Sequence, residues 1–162
     1  MTQSPLVLAR ADQEFINEVL VGLLRKSEAH CVLVVEQNGR CLARAGFTEK
    51  IDTDALAALV AGSFSSTRAM AALVGESEFS VLFHQGEHDH IHNILIDNDR
   101  ILTVIFDRHT TVGMVRLYAK NAAKRIAERF TEIAKRRPVH ETEIHGSMAE
   151  DTERRLDQIF GP

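Results

Sequence analysis

Apolar residues recur along this chain with two different periods, and the change between them marks out its elements. Over residues 10–27, Phe15, Val19, Leu23 and Ile16, Leu20, Leu24 form one stripe, with Asp12, Glu14, Glu18 and Arg25 elsewhere, the pattern of an amphipathic helix. Residues 30–36 (HCVLVVE) are an unbroken apolar run, which predicts a strand covered on both faces. Asn38-Gly39 then supplies a two-residue hairpin turn, which would pair Glu36 with Cys41 and lead into a strand over 40–45 ended by Gly46. A second helix is expected over 52–73, capped by Asp52 or Thr53, with Leu56, Leu59, Val60, Ser63, Phe64, Met70 and Leu73 near helical spacing.

Residues 79–84 alternate as a strand with Phe79, Val81 and Phe83 on one face. A polar turn at 85–89 leads to a strand over 90–96. Asp97-Asn98-Asp99 turns again into 101–106 (ILTVIF), a second strand buried on both sides. Thr110 or Thr111 can cap a long helix whose stripe is Val115, Ala119, Ala122, Ile126, Phe130 and Ile133. Pro138 is expected to stop it. Residues 138–150 are polar and non-periodic, and helical spacing returns over 151–160, where Leu156, Ile159 and Phe160 share one side.

The predicted order is αββαβββα with a short C-terminal helix. It describes an α+β domain with a five-stranded, mainly antiparallel sheet and helices on both faces. The expected organisation is one domain over 1–137, a flexible linker over 138–150 and an amphipathic C-terminal helix over 151–162.

Charge refines this picture only at the end of the chain. Among 162 residues, 44% are hydrophobic and 26% charged, ordinary values for a globular protein. Residues 1–137 balance 17 Lys and Arg against 17 Asp and Glu, whereas residues 138–162 hold 2 against 6, so the net charge of −4 sits entirely in the tail. No strongly basic face points to nucleic acid. No apolar run approaches the ~20 residues of a membrane helix and the N-terminus lacks a signal-peptide pattern, so a cytoplasmic protein without membrane insertion is expected. On the hairpin register above, Cys31 and Cys41 lie roughly 17 Å apart, too far for a disulfide.

Candidate chemistry is sparse. Gly22-Leu23-Leu24-Arg25-Lys26-Ser27 lacks the second glycine of a phosphate-binding loop and falls within a helix. His84, His88, His90 and His92 crowd beside Asp89, but they straddle a turn and have no CxxC or HExxH partner, so surface histidines are expected rather than a metal site. No Gly-x-Ser-x-Gly elbow occurs, and Ser63, Ser65 and Ser66 lie in mid-helix. These readings leave no catalytic, cofactor or metal residue and favour a binding module over an enzyme.

The second helix stands out for small residues: Ala57, Ala58, Ala61, Gly62, Ser65, Ser66, Ala69 and Ala72. Gly62 costs up to about 1 kcal/mol relative to Ala in mid-helix, which calls for a packing or functional reason. Two readings stay open on the residues alone: a helix lying flat on its own sheet, or a docking face that lets another backbone approach closely.

The element order, the hairpin VVEQNGRCLARAG, the helix start IDTDALAALVAGS and the stretch FDRHTTVGMVRLYAKNA together resemble the Roadblock family over residues 10–137. The resemblance implies a homodimer in which sheets join edge to edge and the second helices lie side by side as a platform. It further implies one GTP-loaded, small Ras-like GTPase bound per dimer and stimulated to hydrolyse GTP, in a bacterial polarity or motility system with recruitment to cell poles. The contacting residues carried over are Ala61, Gly62, Ser65, Arg68, Ala69 and Ala72. Such proteins organise the switch regions of the GTPase rather than inserting an arginine, although Arg68 lies on the candidate face. The C-terminal helix would add a second contact through Leu156, Ile159 and Phe160. The alternative within this resemblance is a Roadblock scaffold that tethers a GTPase or motor assembly without activating it.

Overall fold

The computed structural model describes residues 6–160, with side chains described as far as Arg136. Its elements run α1 (Arg10–Ser27), β1 (Cys31–Glu36), β2 (Cys41–Gly46), α2 (Thr53–Leu73), β3 (Val81–Gln85), β4 (Asp89–Leu95), β5 (Arg100–Asp107) and α3 (Val112–Phe160). Two units separate along the chain, residues 1–127 with the sheet and residues 128–162 with the later part of α3.

The five strands form one antiparallel sheet in the order β2-β1-β5-β4-β3. The two apolar runs, β1 and β5, pair at its centre, with Leu33 opposite Thr103 and Val34 opposite Leu102. This explains their lack of alternation, because both faces of a central strand are covered. On one face, Cys31, Leu33 and Val35 of β1 and Ile101 and Ile105 of β5 pack against Ala57, Val60, Ala61 and Phe64 of α2. The intervening residues Val32, Val34, Leu102 and Val104 are fully buried on the opposite face. There α1 contributes buried Ile16, Val19, Leu20 and Leu23, and α3 contributes Val115, Ala119, Ala122 and Ile126. The guanidinium of Arg125 on α3 lies 5.6 Å from the Phe15 ring centre on α1, tying these two helices together.

Local chemistry sets the boundaries. Asp52 accepts a hydrogen bond from the Ala55 N–H at 3.0 Å, and Thr111 accepts one from the Met114 N–H at 3.2 Å, so each caps its helix. Gly46 ends β2 at φ +93°, where a Cβ would run into the His30 carbonyl.

Two expectations need correction. The β1–β2 hairpin pairs Val35, not Glu36, with Cys41, because the register shifts at an irregularity between Val34 and Val35. A bulge of this kind adds one residue to one strand, which a turn rule applied to Asn38-Gly39 alone does not anticipate. Both cysteines remain free, and burial pushes the Cys31 thiol up to about 11, leaving it unreactive at neutral pH. The second correction is α3, which runs through Pro138 to Phe160 as one element instead of stopping. Proline removes one backbone donor and crowds the preceding turn, but good helix formers such as Lys135, Arg136, Glu141 and Glu143 flank it. The side chains expected to act in the tail, Leu156, Ile159 and Phe160, lie outside the described residues.

Candidate functional site

Helix α2 has a buried side and an unpartnered one. Ala57, Val60, Ala61, Phe64 and Ala71 are each at most 6% exposed and face the sheet. Opposite them, Ala55, Leu59, Gly62, Ser66, Ala69 and Leu73 recur at alternating steps of four and three, and all are exposed. That spacing traces a straight seam along a helix, the pattern that packs against a second helix. Leu59 is 69%, Met70 53% and Leu73 86% exposed. The helical period alone groups these three with the buried stripe, because a 3.6-residue spacing tolerates either side of a helix this rich in alanine. The four-three spacing of Leu59, Gly62, Ser66, Ala69 and Leu73 was the available signal.

The expected contact residues divide accordingly. Gly62, Ser65, Arg68, Ala69 and Ala72 are exposed, whereas Ala61 is buried in the core against its own sheet. The small residues therefore divide between two sides of one helix: Ala57 and Ala61 lie flat on the sheet, while Gly62, Ser65, Ser66, Ala69 and Ala72 are exposed. Gly62 has open space where a Cβ would stand, so no contact within the chain requires glycine there.

With 21 residues and a mean hydropathy of 1.3 over an 18-residue stretch, α2 is long and apolar enough by composition to cross a membrane, against the expectation of no such run. Its apolar content is instead split between the sheet and the open seam.

Arg68 leans off the seam. Its guanidinium donates to Gln37 Oε1 at 3.4 Å and to the Asn98 carbonyl at 3.5 Å, and lies 3.6 Å from Glu78 Oε1. It thereby bridges the β1–β2 and β4–β5 turns.

One edge of the sheet is β3, which pairs only with β4 among the described residues. Val81 on β3 is 40% exposed and Phe79 just before it 37%. An apolar edge strand with one free row of N–H and C=O groups is a template for pairing with another strand.

The hairpin histidines do not converge. His84 and His88 are exposed, His90 packs between Phe83 and Phe106 at ring distances of 6.0 and 5.3 Å, and His92 is buried. A different group gathers at one end of the sheet, where His30 Nε2 lies 2.8 Å from Asp107 and 3.8 Å from Asp89. The other oxygen of Asp107 accepts from the His109 N–H at 2.8 Å. That bond, more than the ring contacts of His109 and His30, holds the Asp107 carboxyl down at about 2. His30, Asp89 and Asp107 offer atoms close enough to hold a metal ion. The close pair is His30 with Asp107, which joins the start of β1 to the end of β5 where the loop to α3 begins, while Asp89 stands off at 3.8 Å and is exposed. Sequence spacing could not find this group, because its members come from the residue before β1, the start of β4 and the end of β5.

Comparison with known proteins fits this geometry. The Roadblock/LC7 domain matches residues 15–106. The structure is similar to MglB of Myxococcus xanthus, with 36% identity and a TM-score of 0.71 over 73% of this chain and 96% of that one. It is similar to the gliding protein MglB of Thermus thermophilus, with 32% identity and a TM-score of 0.76 over 81% of this chain and 99% of that one. A solved MglB with a tetrameric arrangement gives 32% identity and a TM-score of 0.76 over 81% and 98%. No curated protein matches. The extent of the domain match and these identities place the chain in the Roadblock/LC7 domain family.

Proposed function

We propose that this chain is a homodimeric regulator that binds a GTP-loaded, MglA-type small Ras-like GTPase and stimulates its hydrolysis of GTP. The observation that carries the reading is the open, apolar seam of α2, from Ala55 to Leu73, together with the free edge of β3. An exposed apolar surface of this kind marks an interaction site. Two copies related by a twofold axis satisfy both surfaces at once, pairing β3 with β3 and α2 with α2. Gly62, Ser66 and Ala69 let the two helices approach to the short end of the ~8–10 Å range of helix packing. The paired helices then form a shallow platform flanked by Ser65, Arg68 and Ala72.

On this reading the protein needs no active site of its own. Phosphoryl transfer is catalysed mainly by positioning and by stabilising charge on the transferring group. A small-residue platform performs positioning, holding the switch regions of the GTPase so that its own residues meet the phosphate and the attacking water. Arg68 is the only basic residue in α2, and its contacts with Gln37, Asn98 and Glu78 favour a structural role over a catalytic finger. The protein then acts in the cytoplasm, in bacterial polarity or motility, with one GTPase per dimer; the likeness to an MglB named as a gliding protein supports the motility role.

Light scattering coupled to size exclusion, with an MglA-type GTPase loaded with a non-hydrolysable GTP analogue or with GDP, tests the assembly. The expected result is two chains per GTPase with the analogue and no complex with GDP. Equal binding of both nucleotide states, or a monomer at all concentrations, would contradict it.

A further inference from the structure

Between α3 and the β3–β4 end of the sheet lies a half-open pocket of about 300 Å³, lined by Val81, His92, Ile94, Arg116 and Lys120. It lies on the sheet face opposite α2, since His92 pairs with Val104 and Val81 with Ile94. At its floor His92 is 1% exposed, and neither ring nitrogen has a hydrogen-bond partner. A buried polar group without a partner costs free energy comparable to a lost hydrogen bond. Both nitrogens are covered by surrounding atoms, so a turn of the ring is what would present one of them to an occupant of the pocket. Arg116 and Lys120 stand one turn apart on α3 with exposed side chains, and no carboxylate is among the lining residues. Val81 and Ile94 supply an apolar wall.

We propose that this pocket is a binding site for a small organic anion with a short apolar tail, its phosphate or carboxylate head held by Arg116, Lys120 and His92. The guanidinium presents paired donors to two oxygens of the head, and Lys120 adds a point charge. His92 is neutral in this environment, since burial and then Arg116 lower it to about 4. A neutral imidazole donates from one nitrogen and accepts on the other, matching an oxygen acceptor at its edge. The tail lies on Val81 and Ile94, and the volume falls at the small end of ligand pockets. The site is built within one chain and does not depend on the GTPase reading.

Long-range 1H–15N NMR of the histidine rings in the full chain, titrated with butyl phosphate, butyrate and inorganic phosphate, tests the proposal. The expected result is a saturable shift of the His92 ring with butyl phosphate or butyrate, the tighter of the two identifying the headgroup. Inorganic phosphate should bind about tenfold more weakly, since it leaves the apolar wall uncovered. The double variant Arg116→Gln/Lys120→Gln, on exposed positions that the fold tolerates, should weaken binding at least about tenfold. No saturable shift with either organic anion, unchanged binding to the double variant, or inorganic phosphate binding as tightly as butyl phosphate would overturn it.

Discussion

Ala61 and Gly62 are adjacent in sequence and opposite in environment: the methyl of Ala61 is buried against the sheet, while Gly62 opens outward with nothing within 4 Å of where its Cβ would be. Among the described residues nothing therefore requires a glycine there. Replacing Gly62 with Ala should stabilise the dissociated chain by about 0.5–1 kcal/mol through helix propensity, read as a higher urea midpoint. The same methyl should weaken dimerisation measured by sedimentation. A gain in both would mean that no second helix approaches at Gly62.

Ser65 flanks the seam, Ala69 lies in it, and both are exposed. Ser65→Arg and Ala69→Arg should leave far-UV circular dichroism unchanged, since neither side chain enters the core. Each should reduce affinity for the GTP-bound GTPase at least about tenfold, a loss of roughly 1.4 kcal/mol. Surface plasmon resonance with the immobilised GTPase reads this directly.

Phe64 and Leu73 separate core from interface on one helix. Phe64 is 5% exposed within the α2–sheet cluster, and Leu73 is 86% exposed. Phe64→Ala should cost about 3–5 kcal/mol of stability, a large share of a typical domain's total. Leu73→Ala should change the stability of the dissociated chain by less than about 0.5 kcal/mol while weakening the dimer. Denaturation and sedimentation on both variants check the contrast.

His92 and Asp107 make stability depend on pH in two windows. The folded pKa of His92 is lowered from 6.5 to about 4, by burial first and Arg116 second. Unfolded chains therefore bind a proton that the fold refuses, and the contribution of this group is complete above pH 6.5 and lost as pH falls towards 4. The size is on the order of 3 kcal/mol. Asp107 is lowered from 3.8 to about 2, so its contribution is lost over that lower range. In urea titrations, His92→Leu should flatten the upper window and Asp107→Asn the lower one. An unchanged slope above about pH 4 in His92→Leu would exclude the histidine as its source.

Much of the fold was legible because it rests on local pattern. The unbroken runs of β1 and β5 announced central strands, and α1 was bounded at Arg10 and Ser27. The helix starts were narrowed to Asp52 or Thr53 and Thr110 or Thr111, between which the structure chooses Asp52 and Thr111. The hairpin register was not legible, because the irregularity beside Val35 depends on how β2 meets β1 and β5 together. Nor was the continuation past Pro138, where a residue-level penalty was weighed against no knowledge of the rest of the helix. The candidate face was half visible. Small residues pointed to α2, but Ala61 belongs to the core, while Leu59, Met70 and Leu73 belong outside it. Only the position of the sheet decides which side of an alanine-rich helix is buried. His92 looked like one surface histidine among four until the strand pairing placed it beneath α3.

The most direct test of the regulator reading is single-turnover GTP hydrolysis by an MglA-type GTPase from the same organism, followed with increasing amounts of this protein. The expected result is a rate that rises and saturates near two chains per GTPase, and that Ser65→Arg returns to the intrinsic value. Stable GTP-dependent binding with an unchanged hydrolysis rate would contradict activation and leave the protein a scaffold.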